Sequence, residues 1–152
     1  MGRLRIYISG PLTNQTIDKD EMERLRRFYE AIAEVCQRKG HAPYVPHQHT
    51  DPIIHPEISP VEVYKTDMRE IGKADLVLAY VGKASHGVGM EIERAYHTGT
   101  KVVLLYERGT KISRLVKGCP AVIAEIEFEE ADDALRQVSM LLDRWQECGT
   151  LK

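Results

Sequence analysis

Apolar residues fall along this chain in two alternating rhythms. Short, nearly continuous runs at Leu4 to Ser9, Ala74 to Val81, Lys101 to Tyr106 and Ala121 to Phe128 predict strands buried on both faces, and His41 to Val45 predicts a shorter one. Between them run helical patterns. From Asp18 to Lys39 the apolar positions are Met22, Leu25, Phe28, Tyr29, Ile32, Ala33, Val35 and Cys36, and Gly40 stands where a C′ glycine closes a helix. Ser59-Pro60-Val61-Glu62 combines an N-cap serine, a proline at N1 and the glutamate of a capping box, opening a helix that runs to about Lys73. Further helices are predicted from Glu91 to Gly99, as a short turn over Ile112 to Val116, and from Glu129 to Glu147 through Ala134, Leu135, Val138, Leu141, Leu142 and Trp145.

Five apolar strands alternating with helices predict a three-layer α/β/α sandwich around a five-stranded parallel sheet of Rossmann or flavodoxin-like type. Strand order 2-1-3-4-5 follows from flavodoxin-like precedent. In such sheets ligands bind beyond the carboxyl ends of the strands, where the order reverses between the first and third. The loop after Tyr7 and the loop around Ser85 are therefore expected to meet.

Composition narrows the class. A chain of 152 residues fits one compact domain, residues 1–152. Its 21 basic and 23 acidic residues are mixed along the chain and leave a net charge of -2, so no footprint for nucleic acid or a membrane surface stands out, and a small ligand is the expected partner. Cys36, Cys119 and Cys148 are far apart and never in C-x-x-C spacing, which argues against a disulfide framework or a zinc site. With no signal-peptide pattern and no apolar run of membrane-spanning length, a cytoplasmic protein is expected.

Ser85-His86-Gly87-Val88-Gly89-Met90-Glu91 draws the chemistry together. It reads as a small-residue loop between a buried strand and a helix beginning at Glu91, so that backbone N–H groups and the positive end of the helix dipole line one anion-binding mouth. Glu91 is then either a first-turn glutamate complementing the dipole or a functional carboxylate. Residues Pro46 to Pro60, with four prolines and His47, His49 and His55, form a long aperiodic loop whose imidazoles line a pocket or sit in solvent. His47-x-His49 lacks the accompanying spacing of a metal site. Asp67 lies mid-helix and faces either the strand ends or water. Asp75 is a poor strand former and suits a backbone-capping role. Glu21, Glu23, Arg24, Arg26 and Arg27 read as a solvated helix face. A dinucleotide-dependent oxidoreductase is disfavoured, because Ser9-Gly10-Pro11-Leu12-Thr13 stands where G-x-G-x-x-G is required.

Several of these pieces, in order between residues 4 and about 118, resemble the nucleoside 2-deoxyribosyltransferase superfamily, most closely its 2′-deoxynucleoside 5′-phosphate N-hydrolases. They are Tyr7-Ile8-Ser9-Gly10, Asp67 with Ala74-Asp75-Leu76-Val77, the Ser85 to Glu91 segment followed by Ala95, and Ile112 to Gly118. The resemblance implies cleavage of an N-glycosidic bond without a cofactor or metal, with Glu91 as nucleophile, Tyr7 orienting it and Asp67 as the candidate general acid. It implies substrate contacts at Ser9, Gly10, Ser85, Gly87, Gly89, Met90 and Ser113, the last reaching in from the partner of a homodimer. His47 is the residue expected at the base. This chain departs from the family pattern in having Glu93 two positions after the glutamate and Gly10-Pro11-Leu12-Thr13-Asn14 as its first loop. Three functions stay open: a hydrolase acting through a glycosyl-Glu91 intermediate, a transferase in which a second base replaces water, and a non-catalytic nucleotide-binding domain.

A carboxylate beneath C1′ stabilises or traps an oxocarbenium-like centre, while a second, protonated carboxyl helps the base depart. On this chemistry Glu91 has to be ionised, and a helix N-terminus and a tyrosine hydroxyl both favour that form.

Overall fold

Side chains alternate across the strands, and that alternation divides the core in two. In the computed structural model, which describes residues 2–148, Ile6, Ile8, Leu76, Leu78, Val103 and Leu105 pack on one face of the sheet, against a helix layer that supplies Phe28, Ile32, Leu141 and Leu142. Tyr7, Val77, Ala79, Val102 and Leu104 face the other way, against Ile71, Val88, Ile92 and Ala95. Both faces are covered, which accounts for the continuous apolar runs.

The strands are β1 (Arg5–Ser9), β2 (Ala42–Tyr44), β3 (Leu76–Tyr80), β4 (Lys101–Glu107) and β5 (Val122–Phe128). They form one parallel sheet in the order β2-β1-β3-β4-β5, as expected. Helices α1 (Lys19–Arg38) and α6 (Ala131–Cys148) cover one face, and α3 (Pro60–Lys73) and α4 (His86–Thr98) the other. Two short helices complete the set, α2 (His47–Thr50) and α5 (Arg114–Lys117). No helix among the described residues is long and apolar enough to cross a membrane.

Most end signals act as the sequence predicts. Asp18 caps α1 by accepting from Glu21 N–H at 2.8 Å, and Gly40 follows with φ of 85°. Ser59 and Glu62 form a reciprocal capping box on α3, and Gly99 ends α4 in the left-handed conformation. Asp75 caps the sheet, its Oδ2 accepting from Arg5 N–H at 2.8 Å.

Two readings are corrected. Residues Pro46 to Pro60 are not wholly a loop, since His47 to Thr50 make a turn of helix. Arg26 does not belong to a solvated face: its Nε donates to Asp51 Oδ2 at 2.8 Å, and the Asp51 side chain is fully buried. Asp51 Oδ1 also accepts from Ile53 N–H, so this pair fastens the proline- and histidine-rich segment to α1.

Candidate active site

The topological switch between β1 and β3 lies where the sequence places it, and the two loops beyond it meet. Asn14 Nδ2 donates to Ala84 O at 2.6 Å, tying the first loop to the segment that enters α4. A cavity of about 530 Å³ opens above them, within the range of small-molecule sites. It is lined by the first loop (Gly10, Leu12, Thr13), the start of α4 (Ser85, His86, Gly87), the segment before α3 (Thr50, Pro52, Ile58) and α3 itself (Val63, Tyr64), with Asp67, Met68, Val88, Met90 and Glu91.

Glu91 reaches this cavity by a different route from the one expected. Helix α4 begins at His86, with Ser85 as N-cap accepting from Val88 N–H at 3.3 Å, so the glycine segment is the helix's first turn rather than a loop before it. Nothing within 4 Å crowds Gly89, and no positive φ is needed at either glycine. Glu91 is therefore the sixth helical residue, beyond the turn where the dipole acts strongly. It lies on the stripe of Val88, Ile92 and Ala95, at spacings that put all four on the buried face.

Burial dominates its chemistry. Desolvation pushes the Glu91 carboxyl up to about 8, aided by the nearby charge of Asp67 and opposed by the Ser9 and Tyr7 hydroxyls. Desolvation thus works against the expectation that the helix end and the tyrosine keep Glu91 ionised, since it outweighs the Ser9 and Tyr7 hydroxyls. Asp67 is buried on the inner stripe of α3 with Ile71, not in water, and burial and Glu70 raise its carboxyl to about 6. Around neutral pH the pair accordingly holds one proton, with Asp67 ionising first.

Tyr7 and Ser9 stand two residues apart on β1 and share its α4-facing side. Both are fully buried. Tyr7 Oη, Ser9 Oγ, Asp67 Oδ1 and Glu91 Oε2 are all sealed from solvent, yet none has a hydrogen-bond partner in good geometry. A core arranged for stability pairs such groups; here Asp67 and Glu91 line the cavity, and the Tyr7 and Ser9 hydroxyls act on Glu91 from beneath it, which marks a functional site. Ser9 is thereby placed with Glu91 rather than among the lining residues.

The remaining expected residues separate. Ser85, Gly87, Gly10 and Met90 line the cavity; Gly89 does not. A Cβ on Gly87 would stand 4.0 Å from Glu91 Oε1, so the missing side chain leaves space over the carboxylate. One on Gly10 would strike the Tyr29 ring, whose hydroxyl donates to Pro11 O at 3.1 Å. His47 is buried and turned toward α1, its Nε2 lying 2.8 Å from Glu30 Oε1, and it does not line the cavity. The loop that carries it does, through Thr50, Pro52 and Ile58. Those three were missed because nothing local in the sequence distinguishes them from other loop residues. Ser113 is exposed, caps α5, and is not among the residues lining the cavity of its own chain. No cluster of three metal-ligating side chains occurs among the described residues.

The cavity at the switch point of this doubly covered parallel sheet is lined by two carboxyl groups, Asp67 and Glu91, both held above the usual carboxylate range. The chain is 23% identical over 143 residues to a protein of Thermofilum pendens, covering 91% of this chain and 95% of that one, and 26% identical over 140 residues to one of Methanosarcina mazei, covering 90% and 82%. Both carry the name "Putative 2'-deoxynucleoside 5'-phosphate N-hydrolase 1". Its fold is shared with the CMP N-glycosidase BcmB of Clostridium botulinum (TM-score 0.68, 21% identity, 90% of this chain and 98% of that one). It is shared also with a 2-deoxyribosyltransferase of Bacillus psychrosaccharolyticus (TM-score 0.63, 23% identity, 91% and 95%). No family model matches the sequence. The resemblance to the nucleoside 2-deoxyribosyltransferase superfamily is supported by these relatives and by the fold.

Proposed function

We propose that this protein is an enzyme that hydrolyses the base–sugar bond of 2′-deoxynucleoside 5′-monophosphates through a covalent glycosyl-Glu91 intermediate. The observation that carries the reading is the pair of cavity-lining carboxyl groups, Asp67 and Glu91, each with an unpartnered buried oxygen, with the unpartnered Tyr7 and Ser9 hydroxyls acting on Glu91 from β1. The names of the relatives supply the substrate class.

The proton shared by the two carboxyl groups sets the order of events. In the empty cavity it resides mainly on Glu91, and nucleophilic attack requires that it leave. Asp67, the ionised partner, receives it and delivers it to the departing base nitrogen, which takes the electron pair of the breaking C1′–N bond. Glu91 carboxylate closes on C1′ as that bond opens, with the Tyr7 and Ser9 hydroxyls donating to it. Water then attacks C1′ and passes a proton to Asp67. Glu91 departs as carboxylate, and the free sugar phosphate is released.

The phosphate belongs at the α4 end of the cavity, where Thr13 and Ser85 offer hydroxyls and the first turn offers backbone N–H groups. Ser85 Oγ accepts from Val88 N–H and keeps its own proton for a ligand. Ser113 completes the phosphate site from a second copy in a homodimer; exposed Val61, Tyr64, Met90 and Leu115 supply apolar surface for that contact.

The test is base release from a panel of deoxynucleoside monophosphates, with CMP and unphosphorylated nucleosides as comparison substrates and a free acceptor base in a parallel arm. Wild type should yield base and sugar phosphate, and Glu91→Ala should lose at least about a thousandfold in rate. New nucleotide formed in the acceptor arm at the expense of free sugar phosphate rejects hydrolysis in favour of transfer. Nucleotide binding with no turnover by wild type rejects the enzyme.

A further inference from the structure

One turn of α1 reaches two of the segments that line the cavity. Arg26, Tyr29 and Glu30 stand at i, i+3 and i+4, so their side chains leave the helix on one side. The Tyr29 hydroxyl donates to Pro11 O at 3.1 Å and holds the first loop, which lines the cavity through Gly10, Leu12 and Thr13. Arg26 Nε donates to Asp51 Oδ2 at 2.8 Å, and Glu30 Oε1 lies 2.8 Å from His47 Nε2. His47 opens α2 and Asp51 is its C-cap, so the two contacts clamp both ends of this short helix to α1. Thr50 and Pro52, which line the cavity, flank the clamped Asp51.

The clamp matters because α2 has little of its own to stand on. It spans four residues, its N-cap Pro46 makes no side-chain hydrogen bond, and His49 and Thr50 N–H both donate to the one Pro46 carbonyl at 2.9 Å. So short a helix does not persist without tertiary contacts. The two contacts differ in kind. Arg26 and Asp51 both lie inside, whereas Glu30 is 46% exposed and holds an imidazole that is 3% exposed. A carboxylate only accepts, so His47 Nε2 donates. His47 Nδ1 is sealed from solvent and has no partner, which leaves Glu30 as the ring's only hydrogen-bond partner among the described residues. Without Glu30 the ring is buried with neither nitrogen paired, and it regains hydrogen bonds only by swinging out to water and opening α2.

We propose that Glu30 is a positioning residue for nucleotide binding: through His47 it fixes α2, and with it the part of the cavity wall made by Thr50 and Pro52, relative to the first loop. A half-exposed carboxylate on the helix layer thus sets affinity without touching the ligand. The nucleotide as ligand rests on the glycosidase reading, while the clamp rests on the contacts alone. Preorganisation is the physical link, because a wall that has to be ordered on binding lowers affinity by what the ordering costs.

Glu30→Ala and Glu30→Gln in the full chain are the test. Alanine suits a helix interior, so α1 is kept, and glutamine retains an oxygen that accepts from His47. Amide hydrogen exchange without ligand should be about tenfold faster at His49 and Thr50 in Glu30→Ala, and unchanged at Val81, whose N–H donates to Leu105 O within the sheet. Turnover of a deoxynucleoside monophosphate should show KM about fivefold higher in Glu30→Ala with kcat within about twofold of wild type. Glu30→Gln should restore both readouts. Wild-type exchange at His49 and Thr50 overturns the proposal, as does equal acceleration at Val81, which marks a general loss of stability. So does a fall in kcat at constant KM, or a glutamine variant no better than alanine. Exchange needs no ligand, so an inactive wild type sinks the glycosidase reading while exchange still decides the clamp.

Discussion

Glu91 illustrates how far one residue's chemistry depends on what surrounds it. Its position in sequence, after small residues and before an apolar stripe, predicts a dipole-stabilised carboxylate, yet burial decides the matter and raises it to about 8. The consequence for stability has a definite sign. The folded protein retains a proton that the unfolded chain releases between its ordinary value of 4.5 and about 8, so this group's contribution weakens as pH rises through that window. Glu91→Gln should be close to wild type in stability near about pH 5 and exceed it by up to about 5 kcal/mol near about pH 8.5, measured by denaturant titration. On activity, the proton shared by Asp67 and Glu91 predicts a bell-shaped kcat/KM profile with limbs near about 6 and about 8. A profile flat across that interval would separate the two groups from the rate.

At the scale of the element, the important contact is the one that attaches residues 46 to 60 to α1. Asp51 is fully buried, bonded to Arg26 and to the Ile53 backbone, and flanked by the cavity residues Thr50 and Pro52. Removing one partner of a buried pair leaves the other uncompensated, so Asp51→Ala should cost about 3 kcal/mol in unfolding free energy. Because the wall rather than the carboxyl pair loses its anchor, KM for nucleotide should rise more than kcat falls. Gly10 gives a second element-level prediction: Gly10→Ala drives a methyl group into the Tyr29 ring and should lower stability by about 2 kcal/mol, read by thermal melting. Helix ends needed no such context. The Ser59-x-x-Glu62 box and the glycines at 40 and 99 act through residues within a turn of one another and were legible in the sequence, whereas the Asp18 cap was not read there.

For the whole molecule, the doubly covered parallel sheet was legible in unbroken apolar strands alternating with helices, and flavodoxin-like precedent supplied the strand order and with it the switch point. Ser113 sits exposed on α5 and outside its own cavity, so a role at the phosphate requires a second copy. Co-refolding Glu91→Ala with Ser113→Ala chains should then restore about a quarter of wild-type activity, since half the dimers would be mixed and each would hold one intact site. Activity no greater than the sum of the two variants alone would place Ser113 in its own subunit or outside the site.

The amino-acid sequence by itself determined the elements and their alternation, because periodicity and caps act locally, while the strand order rested on fold precedent and the joint role of Tyr7, Asp67 and Glu91 on a family resemblance. Only the tertiary structure decided what those residues are. It started α4 at His86, turned His47 onto Glu30, drew Arg26 inward to Asp51, and stacked Tyr44 on Tyr7. Desolvation and side-chain direction depend on atoms far away in the chain, and those distant atoms set the protonation of the carboxyl pair.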